Sequence, residues 1–412
     1  MPKEIPNCPS LPQAKPGGEE RTYEIELITP LFGGGVTAGE TDPTMPIRAT
    51  AVRGQLRHWW RLICGQSLGE GMWQREEEIF GSTEFPSPLG VRIEASPIKD
   101  WVEPSAIRNP ALKYLLFPSI ENNQRLAQEG LTFRLDLTWE NEDTLGKRRA
   151  AQNMCRAREK KPPLPDRIAS PDQDMDLATR AWLTFGGVGA RTRRGCGALF
   201  VKKSTPAWNV GDAQSWLRQF LQPGSGIEKI LCLHQPMGYL DAWRRVAETW
   251  KSFRQPGPAR RGEPRRRFPE AETIRRATGH RSRRGSAVPE SEVPSGFPRA
   301  ELGLPIIFQF KDAADPEPTT VNRSGSDAEG RPFQRMASPF ILKPFATGKD
   351  LSIPMIVLLK TPRVSSVRVS PTPQGDQVFP VLGSPIVDSP AGSAIEAFLK
   401  FADAAGFTEV TR

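Results

Sequence analysis

Between Tyr23 and Lys203 the chain changes its hydrophobic period in a fixed order, and that order restricts the fold more than any other feature. Tyr23, Ile25 and Leu27 alternate with Glu24 and Glu26, the two-residue period of a half-buried strand. Val52, Leu56, Trp59, Trp60 and Ile63 then recur at helical spacing from about Thr50 to Cys64. Val91 to Ile98 reads as a strand, and Leu131, Phe133, Leu135, Leu137 and Trp139 alternate with polar residues as a second. A helix over Asp174 to Phe185 and a strand over Ala198 to Lys203 complete β-α-β-β-α-β, the split βαβ order of a ferredoxin-like domain. A second pass of similar order can be drawn after it. It has a strand at Ile230 to His234, a helix at Asp241 to Phe253, strand candidates Pro305 to Phe310, Phe340 to Pro344 and Pro354 to Lys360, and a helix at Ser393 to Ala405.

A chain of 412 residues exceeds one ordinary domain. The expected class is therefore α+β, with two ferredoxin-like (RRM-like) domains in tandem carrying long loop insertions. The expected division is a flexible segment 1–20, a first domain 21–205 and a second domain 206–412, joined near Thr205 to Gly211. Glu142 to Gln173 and Ala313 to Arg331 read as long loops, the latter as a disordered excursion.

Charge narrows the partner class. The formal net charge is +9, and eleven arginines against three glutamates between Arg254 and Arg284 supply most of it. Basicity concentrated in one window points to a surface for a polyanion, and within the Arg-rich insertion 254–300 the window 254–284 reads as a partly ordered RNA-facing segment, with a disordered basic arm or a solubilising loop as alternatives. The five cysteines (Cys8, Cys64, Cys155, Cys196, Cys232) have no CxxC spacing, which supports neither a zinc site nor a disulfide framework. The first twenty residues lack the apolar core of a signal peptide, and Met355 to Leu359 is too short to span a bilayer. A cytoplasmic protein with no membrane partner, metal or cofactor is expected.

Two motifs carry the expected chemistry. Gly186-Gly187-Val188-Gly189-Ala190-Arg191-Thr192-Arg193-Arg194-Gly195-Cys196-Gly197 places five glycines and three arginines in twelve residues. Glycine lets a ligand approach the main chain, and arginine offers a fork of donors matched to phosphate oxygens. The alternative is a glycine hairpin with solvated arginines. On the first helix Arg53, Arg57 and Arg61 stand four residues apart, with Arg48 just before them, so guanidiniums recur about every six ångströms. No acidic residue lies between Arg48 and Arg61, so the stripe predicts phosphate contacts rather than a neutralised helix face. One of the adjacent Trp59 and Trp60 is expected in the core, and the other at a core boundary or stacked on a base. His58 stands beside them as a candidate acid or base.

These residues resemble a known family. Ile28-Thr29-Pro30-Leu31-Phe32-Gly33-Gly34-Gly35, Pro46-Ile47-Arg48 and Arg53-Gly54-Gln55-Leu56-Arg57-His58-Trp59-Trp60-Arg61 are similar to the RAMP superfamily of CRISPR proteins. Together with the glycine–arginine loop, and with Arg299 to Pro305, Arg335 to Pro339 and Lys343, they resemble the first subunit family of the type III-B (Cmr) effector complex. The resemblance implies a non-catalytic RNA-binding subunit in antiviral defence. It implies contacts to the 3′ part of the guide RNA and to the paired target RNA, at the filament end distal from the large subunit. Other RAMP subunits would be its neighbours. The implied RNA-binding set is Arg48, Arg53, Arg57, Trp59 or Trp60, Arg61, Gly187, Gly189, Arg191, Arg193 and Arg194. Cys196 departs from the aromatic expected within the loop, and the arginine run Arg260 to Arg267 is richer than the family requires.

The competing class is a RAMP endoribonuclease. Only His58, His234 and His280 offer imidazoles, and no tight acidic cluster suggests a two-metal site. Asp172, Asp174 and Asp176 alternate before a helix and read as a capping, solubilising run. A nucleotide-binding enzyme is disfavoured, because the glycine loop follows a helix and precedes a strand, the reverse of a dinucleotide fingerprint.

Overall fold

A computed structural model describes residues 19–411 apart from 38, 84–85, 164–170, 256–267, 281–295, 311–313, 328, 334, 383–385, 387–388 and 391. The expected N-terminal segment lies almost wholly outside the described residues, as do the arginine run at 260–267 and Arg281, Arg283 and Arg284.

The first half runs β1 (Glu19–Leu27), α1 (Ala49–Ile63), α2 (Met72–Phe80), β2 (Gly90–Ala95), β3 (Thr132–Trp139), α3 (Glu142–Arg158), α4 (Asp172–Phe185) and β4 (Leu199–Thr205). The sheet order is β2-β3-β1-β4, antiparallel throughout, which is the ferredoxin-like arrangement expected from the periodicity. Tyr23 opposes Leu135, and Ile25 opposes Phe133 on one side and Val201 on the other, so the apolar alternation of β1 falls on one buried face. α1 and α4 pack against one another over that face, burying Val52, Leu56, Trp59, Trp60 and Ile63 from the first and Ala178, Ala181, Trp182 and Phe185 from the second.

The second half runs β5 (Ile227–Cys232), α5 (Tyr239–Arg254), α6 (Glu270–Ala277), β6 (Ile306–Phe308), β7 (Thr319–Arg323), β8 (Phe340–Gly348), β9 (Leu351–Leu359), β10 (Ser366–Ser370), β11 (Gln377–Pro380), α7 (Ala394–Ala404) and β12 (Thr408–Glu409). β8-β9-β5-β12 repeats the strand order of the first sheet, so the two units are tandem ferredoxin-like folds. Leu231, Phe340, Leu342, Ile356 and Leu358 face α5 and α7. Ile230, Ile341, Phe345, Met355 and Val357, on the opposite face, join the cluster that contains α1 and α4. Burial on both faces explains why β8 and β9 read as nearly continuous apolar runs.

Three expectations are corrected. The stretch from Glu142 is not a loop, because α3 occupies Glu142–Arg158 with Asn141 accepting from the Thr144 amide at 2.9 Å. Among its described residues only Leu145 and Arg149 are buried, so its polarity hid it. Ala313 to Arg331 is not wholly irregular, because β7 lies within it. The strand at Pro305 to Phe310 shortens to β6 and leaves the second ferredoxin-like sheet. With β7, β10 and β11 it forms a third sheet, in the order β11-β10-β7-β6, around Val321, Val367, Val369 and Ile274.

Candidate nucleic-acid interface

α1 enters from Arg48 without a side-chain cap and carries its arginines on the flank left by the buried face. Arg53 turns to the main chain, with Nη1 donating to the Leu89 carbonyl at 3.2 Å and Nη2 to Phe80. Arg48 reaches the Gly35 carbonyl at the limit of hydrogen bonding, 3.5 Å. The next two arginines share one carboxylate. Arg61 donates from Nε and Nη2 to Glu76 at 2.7 and 2.6 Å, and Arg57 donates to Glu76 through Nε. Glu76, on α2, is 1 % exposed, whereas the Arg57 and Arg61 side chains are 45 % and 41 % exposed. Burial alone would raise the Glu76 pKa, but the hydrogen bonds from Arg61 and Arg57 hold it below the ordinary value.

The sequence reading of an unneutralised stripe is therefore corrected. The counter-charge arrives from a different helix, fifteen residues beyond Arg61, where local charge counting does not look. One carboxylate against two guanidiniums still leaves the pair net cationic.

Trp59 and Trp60 are 2 % and 0 % exposed, so neither presents a ring to a base. The exposed aromatic is Trp73, at 62 %, in the first turn of α2, with the Arg61 guanidinium carbon 5.0 Å from its ring centroid. Sequence reasoning passed over it. Its signal was a lone tryptophan in the polar stretch Met72-Trp73-Gln74-Arg75-Glu76-Glu77, following glycine-rich Gly65–Gly71. An open groove of about 640 Å³ is lined by Arg53, Arg57 and Trp73, by Glu76 and Glu77, and by residues after α2.

The glycine–arginine loop is held by hydrogen bonds on both sides. Gly197 donates to the Pro30 carbonyl at 3.0 Å and Ala190 to Phe32 at 2.6 Å, tying the loop to the end of β1. Thr29 Oγ1 donates to Gly195 at 2.6 Å and accepts from the Ala198 amide at 2.9 Å. The arginines reach the other way. Arg191 donates to Leu115 at 2.6 Å, Arg193 to Ser338, and Arg194 to Phe340 at 3.1 Å. Trp243 Nε1 donates to the Arg194 carbonyl at 2.8 Å, and Lys343 Nζ donates to Gly186 at 2.7 Å. The loop thus staples the first ferredoxin-like unit to α5 and β8 of the second.

Its glycines serve contact rather than ligand access. A methyl on Gly187 would stand 2.7 Å from the Gly197 carbonyl oxygen, and one on Gly189 2.6 Å from that of Phe32. Burial lowers the pKa of all three loop arginines; that of Arg194 falls to about 9, with the neighbouring Arg254 and Arg191 charges adding to the effect. Arg194 and Arg254 each lie against Trp250, at 5.0 and 5.4 Å from its centroid. Cys196 is buried, and desolvation pushes its thiol up to about 12. In the place of the expected aromatic it packs beside Phe32 and Trp243.

In the described part of the arginine-rich insertion Arg275 is internal and Arg276 is exposed. α6 buries Ile274 and Arg275, and the Arg275 guanidinium pairs with Glu272 and with Asp315 at 2.9 Å.

His58 packs edge-on to Trp59, with centroids 5.6 Å apart. Desolvation, then the charges of Arg193 and Arg61, lower its pKa below 6.5. His234 bonds to Gln214 and Thr408, and His280 to Thr278, so the three imidazoles are not assembled into one site. Asp172 and Asp176 bind Arg21, and Asp174 binds Arg75 at 2.5 Å, so the aspartate run joins α4 to β1 and α2. Among the described residues, no group of three or more His, Cys, Asp or Glu could hold a metal ion, and no helix is long and apolar enough to cross a membrane.

Comparison with known proteins matches residues 24–200 to the RAMP superfamily model. The CRISPR system Cmr subunit Cmr1-2 of Pyrococcus furiosus is 35% identical over 83 residues, which cover 19% of this chain and 42% of that protein. The matched stretch therefore spans less than half of that relative's length. The crystal structure of Cmr1 from Pyrococcus furiosus in its apo form overlaps 95% of this chain and 98% of its own, with a TM-score of 0.53 at 13% identity. A chain of the cryo-EM structure of a type III-B Cmr-beta complex bound to cognate target RNA and AMPPnP overlaps 93% and 99%, with a TM-score of 0.44 at 11% identity. Residues 24–200 match the RAMP superfamily model, within a chain similar in fold, and over one stretch in sequence, to the Cmr1 subunit of the CRISPR system.

Proposed function

We propose that this protein is a non-catalytic RNA-binding subunit of a type III-B CRISPR ribonucleoprotein, acting in the cytoplasm in antiviral defence. Its partners are the guide RNA, the complementary target RNA and other RAMP subunits. It contacts the 3′ part of the guide and the guide–target duplex at the filament end distal from the large subunit. The observation that carries the reading is the half-exposed guanidinium pair Arg57 and Arg61, held on α1 by the buried Glu76, in a chain similar to a Cmr subunit. Guanidiniums fixed in this way contact backbone phosphates, while sequence choice is left to base pairing.

A binder accounts for His58 better than a nuclease does. His58 packs edge-on against Trp59, and His234 and His280 bond elsewhere, so the described structure assembles no pair of imidazoles to act as acid and base. The test is a salt titration of binding to a labelled single-stranded RNA, with the same samples run on a denaturing gel with and without magnesium. Salt-sensitive binding with intact RNA is expected. RNA shortened by repurified protein, but left intact by His58→Ala, would establish the endoribonuclease instead.

A further inference from the structure

Trp73 differs from the other aromatic residues beside it. Trp59, Trp60 and Phe80 are buried in the core, while Trp73 stands 62 % exposed on the same flank of the molecule. It is held in place nonetheless. Glu76 fixes Arg61 through two hydrogen bonds, and the Arg61 guanidinium lies against one face of the indole. That leaves a preset, largely exposed ring on the wall of the groove of about 640 Å³. Arg57, which also lines the groove, spends only its Nε on Glu76. Its terminal nitrogens hold no partner among the described residues.

We propose that Trp73 is a stacking platform for an unpaired base of single-stranded RNA, with the adjoining phosphate at Arg57. The inference rests on the RNA-binding reading and deepens it. Bases inside a duplex are stacked on both faces, so only a single-stranded, terminal or flipped base can offer a face to an indole. The guanidinium on the far face complements such a stack, because arginine and bases share the preference for an aromatic plane. The chemistry around the ring separates RNA from a protein partner. One isolated aromatic among Arg53, Arg57 and Arg61 suits one base and its phosphate, whereas a partner helix needs several apolar anchors in a row. Glu76 and Glu77 on the same wall disfavour a backbone laid flat along the groove and favour entry of the base. Stacking tolerates every base, so the platform adds affinity without sequence choice.

The experiment compares full-length wild type, Trp73→Ala and Trp73→Phe on one labelled single-stranded RNA and on its blunt duplex, after thermal melts confirm folding. The expected result is single-strand binding weakened on the order of ten-fold in Trp73→Ala. Binding is retained in Trp73→Phe, duplex binding is unchanged, and the salt slope is unaltered because every phosphate keeps its guanidinium. A 5-iodouridine in the single strand should photo-crosslink to the peptide containing Trp73. Wild-type affinity in Trp73→Ala would overturn the platform and leave the RNA-binding reading standing. Loss of co-purifying RAMP subunits with RNA binding intact would also overturn it, by making Trp73 a protein contact. Wild-type protein that bound neither RNA would remove the function on which the platform rests.

Discussion

Lys343 Nζ on β8 donates to the Gly186 carbonyl at 2.7 Å, so the buried amine of one ferredoxin-like unit closes on the first residue of the other unit's glycine–arginine loop. The side chain is almost fully buried, and desolvation lowers its pKa to about 7 from 10.5. The bond makes the joint between the units sensitive to pH. From pH 7 towards 10.5 the unfolded chain keeps a proton on this lysine that the folded chain has released, so stability should rise with pH by about 1.4 kcal/mol per unit. Below pH 7 both states are protonated and the dependence stops.

The readout is the difference between wild type and Lys343→Met from pH 6 to 8, below the range in which the buried cysteines begin to titrate in the unfolded chain. Wild type should gain roughly 1 kcal/mol relative to the variant over that interval. Parallel curves would place the lysine's titration elsewhere.

Gly195 sits at φ +83°, and a methyl there would stand 2.5 Å from Trp243 Nε1 and 2.8 Å from the Leu342 carbonyl oxygen. Gly195→Ala must strain the backbone and push the second unit off the loop, costing roughly 2–4 kcal/mol of unfolding free energy in urea titration. An alanine variant within about 0.5 kcal/mol of wild type would show that the loop does not clamp the two units.

Arg275, buried in the insertion, should fail as an RNA contact and matter for folding. Arg275→Met removes the buried guanidinium that pairs with Glu272 and Asp315, which should cost about 3 kcal/mol. Under conditions where the variant is folded, its RNA salt slope should equal that of wild type. A shallower slope would return α6 to the binding surface.

Glu76 sets how much of the α1 charge is available to RNA. Glu76→Gln removes the internal counter-ion of two half-exposed arginines. It should lower stability by roughly 1 kcal/mol, a figure kept small because Arg57 and Arg61 are solvent-screened. It should also steepen the salt dependence of single-strand binding by up to about 0.7 in log–log slope. An unchanged slope would mean that the carboxylate does not compete with phosphate for these guanidiniums.

The ferredoxin-like order was legible because its strands and helices each bury one face, which leaves periods of two and 3.6 in Tyr23 to Leu27 and in Val52 to Ile63. α3 was not, since a helix that buries little beyond Leu145 and Arg149 has no apolar stripe to read. Its helical marks were instead Asn141, the acidic Glu142 and Asp143 at its start, and Arg156 and Arg158 at its end. The third sheet escaped because its strands are three to five residues long and come from two separate insertions.

The site was legible in residue type and not in role. The arginines at 191, 193 and 194 have the composition of a phosphate loop, yet their carbonyl partners at Leu115, Ser338 and Phe340 are 76 to 146 residues away. No local pattern signals such partners. Arg57 and Arg61 were found by spacing alone, while Glu76 and Trp73, which orient and extend them, follow in another helix.

The central claim is that the α1 arginines touch RNA phosphates, and the most direct test is the salt slope of single-strand binding for Arg57→Gln/Arg61→Gln/Glu76→Gln beside wild type. Including Glu76 avoids stranding a buried carboxylate, so the variant should melt near wild type. Every phosphate deprived of its guanidinium takes roughly 0.7 from the slope, so the account predicts a slope shallower by roughly 0.7–1.4. A folded variant with the wild-type slope and affinity would contradict it.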